Sequence, residues 1–228
     1  MKTVNISYPT CWEEVTSQQL LVIASALQKK LPRNTMLLYL LCHLSGLRVV
    51  YSKSTLPDGS FLFSLRNKPF SIFRMGADIV ATACKDLEYI LDSIGLPECP
   101  IPGINKSLYD IPFENYYTAN ALFCAYTQNN EPAYLRESAS ILAGKKQPKK
   151  LLNAYALWFT GLQHHLKVMY PHVFAEGEQS DVTPAKQLHD LLSILNKDEP
   201  HLDKQIMQAD VHSVLTALNN KLMKIQQQ

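Results

Sequence analysis

Leu151-Leu152-Asn153-Ala154-Tyr155-Ala156-Leu157-Trp158-Phe159-Thr160-Gly161-Leu162-Gln163-His164-His165-Leu166-Lys167-Val168-Met169 carries the clearest periodicity in the chain. Leu151, Tyr155, Trp158, Leu162, Leu166 and Met169 recur at intervals of three and four, the period of one face of an α-helix. Pro171 ends the pattern, because its ring removes a backbone donor and clashes with the preceding turn. The spacing predicts a long amphipathic helix, whose apolar stripe needs other elements to cover it.

The neighbouring segments supply more helices. From about Pro112 to Thr127, Phe113, Tyr116, Tyr117, Leu122, Phe123 and Tyr126 occupy more than one helix face, so burial on several sides is expected. Gln128-Asn129-Asn130 closes that helix, and Pro132 suits the first turn of the next, whose apolar face is Tyr134, Leu135, Ile141 and Leu142 up to Gly144. Downstream, Thr183-Pro184 opens a helix carrying Leu188, Leu191, Leu192 and Leu195. Asp210 then caps a last one, with Val211, Leu215, Leu218, Leu222 and Ile225 along one side. Their four-three-four-three spacing is that of a coiled-coil seam, and these five residues form the candidate partner-binding surface. Packing on the chain's own domain is the alternative. The polar connection around Pro200 to Asp203 is read as slack that would let this helix swing outward.

The first half reads differently. Thr16 and Gln19 form a capping box before Leu20, Leu21, Ile23, Ala24 and Leu27. A second helix is expected from about Thr35 to Gly46. Val49 and Tyr51 alternate with polar residues, as do Phe61, Phe63 and Leu65 beyond the Pro57-Asp58-Gly59 turn, which predicts a β-hairpin. Phe70, Ile72 and Phe73 could add a short third strand. Ala77 to Ile94 returns to helical spacing, with Ile79, Val80, Ala83, Leu87, Ile90, Leu91 and Ile94 on one side. Pro97, Pro100, Pro102 and Gly103 exclude a regular element and mark a boundary. The fold expected is mainly α with some β: an α+β part over 1–96 with a small antiparallel hairpin, a Pro-rich linker over 97–107, and an all-α part over 108–228.

Composition narrows function mostly by exclusion. The 228 residues are 46% apolar and 18% charged, a globular balance with a net charge of +2 that names no partner. No apolar run reaches the ~20 residues a membrane span needs, so no membrane association is expected. Nor does the segment after Met1-Lys2 read as a secretory leader. Cys11, Cys42, Cys84, Cys99 and Cys124 show no Cys-x-x-Cys pair and read as free thiols of a reducing compartment. Seven histidines lack ligand spacing: His164 and His165 are adjacent and diverge, and His172 lies beyond a proline. Phosphate-loop, dinucleotide and nucleophile-elbow motifs are absent. Lys145, Lys146, Lys149 and Lys150 around Pro148 read as a solvated connector without interleaved aromatics, so nucleic acid is not an expected partner. No catalytic residue, cofactor or metal is therefore expected. The alternative is a cytosolic enzyme using a cysteine nucleophile.

Several stretches together resemble a known group. Ser107 to Asn120 followed by Tyr126-Thr127-Gln128-Asn129 and Leu135 to Leu142 is similar to a two-helix segment of small helical proteins encoded among phage and prophage tail genes. Ala154 to Phe174, with Trp158, Phe159, Gly161 and the ending Tyr170-Pro171-His172-Val173-Phe174, resembles a later helix of these proteins. Ala209 to Leu218 resembles their closing helix, and Tyr8 to Thr16 their opening. The resemblance implies a non-enzymatic structural or tail-assembly protein. It would act through contacts with tail or other virion components or with copies of itself, in the host cytoplasm or built into the particle.

Overall fold

The computed structural model describes residues 4–50, 59–98, 101, 103–104, 110–174, 184–196 and 199–227, with the side chains of 184–187 left aside. The chain is mainly α-helical with one small antiparallel sheet, and it divides into two compact units, Met1–Ile101 and Pro102–Gln228.

In the first unit a single 3-10 turn, Trp12–Glu14, precedes α1 (Ser17–Leu27). The capping box forms as expected. Thr16 N donates to Gln19 Oε1 at 3.0 Å, and Gln19 N donates to Thr16 Oγ1 at 3.3 Å, satisfying two of the backbone donors that a helix start leaves over. The following helix, α2 (Arg33–Leu44), packs on α1, burying Leu20, Ile23 and Ala26 with Met36, Leu37, Leu40 and Leu41. Gly46, with φ +70°, turns the chain into the sheet.

Three antiparallel strands lie in the order β1 (Leu47–Val49), β2 (Phe61–Leu65) and β3 (Lys68–Met75). Leu47 pairs with Leu65 and Val49 with Phe63, while Phe61 pairs with Met75 and Phe63 with Phe73. The third strand is the longest, not a short addition, and it follows a tight turn at Arg66-Asn67 that the sequence reading did not mark. Of the expected Pro57-Asp58-Gly59 turn, only Gly59 lies within the described residues.

The single helix expected over 77–94 is broken. It runs as α3 (Ala77–Asp86) and the one-turn α4 (Tyr89–Asp92). Leu87 N and Glu88 N bond to the carbonyls of Cys84 and Lys85, three residues back instead of four, and this tightening rotates the apolar face. Val80, Ala83, Leu87 and Ile90 are buried, but Ile79 and Ile94 are more than half exposed, contrary to the periodicity. Gly95 follows where the chain passes the Trp12 indole, and a Cβ there would overlap the ring. Within the Pro-rich segment Pro97, Ile101 and Ile104 are buried, while Glu98 and Gly103 are exposed.

Among its described residues the second unit's regular elements are helical: α5 (Phe113–Asn129), α6 (Pro132–Ala143), α7 (Leu152–Met169), α8 (Pro184–Asn196), α9 (Asp203–Gln208) and α10 (Val211–Gln226). Asn130 adopts the left-handed conformation at the end of α5, its N–H donating to Tyr126 O at 2.7 Å, and Pro132 starts α6. The long helix lies where its spacing placed it, with Tyr155, Trp158, Leu162 and Leu166 buried. Aromatic rings fill the space between α5 and α7: Phe123 lies 4.7 Å from Phe159 centre to centre, and Tyr155 5.5 Å from Phe159. The starts of α5 and α10 are tied backbone to backbone, Phe113 N donating to Ala209 O at 2.8 Å and Val211 N to Ile111 O at 3.0 Å. A 3-10 turn, Pro200–Leu202, and α9 take up the connection that reads as polar slack in the sequence. No helix among the described residues is long and apolar enough to cross a membrane.

Candidate interaction surfaces

The C-terminal stripe does not form the free surface expected of it. Asp210 Oδ1 caps α10 by accepting from Ser213 N at 2.8 Å, as its position suggests. Beyond the cap, however, Val211, Leu215 and Leu218 belong to the unit's own core, and Val214 joins them. The helix packs on α5 and α8. Lys221 Nζ donates to the carbonyls of Ile194 and Leu195 at 2.9 and 2.6 Å, capping the end of α8. His172 N donates to Asn219 Oδ1 at 3.0 Å, and His172 Nδ1 lies 2.7 Å from Gln226 Oε1. These ties hold the helix along its length instead of leaving it to swing. Leu222 is half-buried, and Ile225, 59% exposed, is the part of the stripe open to solvent. An amphipathic stripe looks the same in sequence whether its own chain or another covers it, which is why the spacing misled.

The sheet offers a different surface. Phe70 is 97% exposed and Ile72 56%, both on β3, which has β2 as its one neighbour among the described residues. The register explains the exposure. Lys68 stands opposite Leu65 and Ile72 opposite Ser64, so Pro69, Phe70 and Ser71 have no partners on β2 and bulge from the ladder. Phe73, on regular register, instead lies 6.4 Å from the buried Phe63 ring. Pro69 brings no N–H, and with Lys68 and the bulge it blunts the edge against sheet-to-sheet pairing. What remains is a large apolar ring exposed on an unpaired bulge of an edge strand. Sequence reading noted Phe70 as a strand residue but could not see its direction, because the bulge shifts the alternation that separates inside from outside.

The first unit also holds a groove of about 630 Å³ between α2 and α3, its floor formed by Leu37, Leu38, Phe61, Val80 and Ala81 beside Cys84. Burial pushes Cys42 up to about 11 and raises Cys84, neighbouring atoms partly desolvate and raise Cys124 although that residue is exposed, and a hydrogen bond with Glu13 raises Cys11. Each of these four thiols therefore holds its proton more firmly than an ordinary cysteine. Cys99 lies outside the described residues. Histidines, cysteines and carboxylates form no group of three or more able to hold a metal ion among the described residues.

No protein-family model, curated protein or solved structure matches the chain.

Proposed function

We propose that this chain is a non-enzymatic structural or assembly protein of the phage and prophage tail type. It acts by protein–protein contact, in the host cytoplasm or within the particle. The resemblance of its ordered helical stretches suggests the class, and the exposed Phe70 on the bulge of an edge strand is the observation that carries the mode of action. Interfaces draw their affinity from a few aromatic anchors seated in a partner's pocket. Phe70 has that form, and Ile72, also exposed, lies on the same strand. The raised thiols weigh against a cysteine nucleophile.

Co-expression with the products of neighbouring tail genes tests this reading. A tail component should co-purify with the parent chain, and Phe70→Asp should weaken the association by roughly 30-fold or more, the weight of an anchor worth about 2 kcal/mol. Equal capture by parent and variant, at equal melting temperature, would remove Phe70 from the interface.

A further inference from the structure

Arg136 on α6 and Lys146 and Lys149 in the connection to α7 converge on one concavity of about 450 Å³, completed by Gln147 and Pro148. No carboxylate lines it. Among the described residues none of these three cations forms an ion pair. Lys145 and Lys150 flank them, and over residues 136–150 the sole acidic side chain is Glu137. The connection is anchored, not loose. Gln147 is 4% exposed and donates to Lys145 O at 3.2 Å, a Cβ built at Gly103 would stand 3.4 Å from Gln147 Oε1, and Leu151 is buried just beyond. A fixed floor thus holds several like charges together without compensation, an arrangement that raises the local concentration of anions.

We infer that this concavity binds the phosphate backbone of duplex nucleic acid without reading its sequence. The lining decides among anionic partners. It contains one apolar residue, Pro148, and no aromatic ring. A protein partner draws affinity from buried apolar anchors, and single-stranded nucleic acid from bases stacked on rings; the site provides for neither. What it provides are lysine point charges and an arginine fork, which neutralise phosphates and release condensed counterions whatever the base sequence. In the sequence the lysine run reads as a solvated connector without interleaved aromatics, and Arg136 stands about two helical turns and a loop away. Only the fold brings it to the lysines.

Fluorescence anisotropy of the full chain with two unrelated labelled duplexes tests the assignment. Both should bind with similar affinity, and that affinity should fall about 40-fold between about 50 and about 200 mM salt, as neutralisation of about three phosphates requires. The Lys146→Glu/Lys149→Glu variant should lose binding at an unchanged melting temperature, since both side chains are exposed. If that variant fails to fold, Lys146→Gln/Lys149→Gln serves instead and should halve the salt slope or more. Absence of binding at the lower salt, or binding that survives the substitutions, overturns the assignment. So does poly-glutamate of matched charge binding as tightly as the duplex, which would point to an acidic protein segment.

Discussion

The hydroxyl oxygens of Tyr155 and Ser138 lie 2.6 Å apart in the interior of the helical unit, and the direction of the bond between them is fixed by a third group. Ser138 has one hydroxyl proton and donates it to Ala119 O at 2.7 Å, so Tyr155 is the donor to Ser138 Oγ. The bond ties α7 to α6, and the serine carries the tie on to α5.

This polarity makes the two partners unequal. Tyr155→Phe removes a donor and leaves Ser138 with its other bond, which should cost about 0.5–1.5 kcal/mol. Ser138→Ala leaves a buried phenol without its acceptor and should cost more, about 1–3 kcal/mol. Urea unfolding of both variants checks the order, and a larger loss for Tyr155→Phe would reverse the assigned direction.

Burial sets the alkaline limit of stability. It raises the phenols of Tyr89, Tyr116 and Tyr155 above the ordinary 10.0 and pushes the Cys42 thiol from 9.0 to about 11. Above those ordinary values the unfolded chain has released protons that the folded chain still holds, so stability falls as pH rises. The urea midpoint should begin to drop near pH 9 and fall more steeply above pH 10, and Tyr116→Phe should flatten the decline. The same raised thiols should alkylate slowly and without one outstanding cysteine at neutral pH. A single fast-reacting thiol would revive the nucleophile reading.

Leu218 distinguishes a core helix from a partner seam. It is fully buried within its own chain, so Leu218→Ala should cost ~2–5 kcal/mol of stability while leaving the oligomer mass unchanged. A variant with parent stability and a reduced mass would restore the C-terminal stripe as an interface.

Features that rest on neighbouring residues were legible. The Thr16–Gln19 box, the Asp210 cap, Asn130 before Pro132, and the stripe of Tyr155, Trp158, Leu162 and Leu166 are all local patterns with local causes. What failed depended on contacts distant in sequence. Leu87 breaks a helix that its periodicity would continue, and Ile79 and Ile94 face outward from a face that looked apolar. Phe70 escaped because three unpaired residues on β3 cannot be inferred without the register of β2. The basic concavity escaped because Arg136 and the lysines belong to different elements.

Site-specific photo-crosslinking bears most directly on the claim that β3, and not the C-terminal stripe, meets the partner. A photoreactive phenylalanine analogue placed at Phe70, and separately at Leu218, would be illuminated in cells that co-express the products of the genes neighbouring its own. An adduct with one of those products is expected from position 70, competed away by excess parent chain, and only intramolecular adducts from position 218. An intermolecular adduct from position 218 with none from position 70 would contradict that claim.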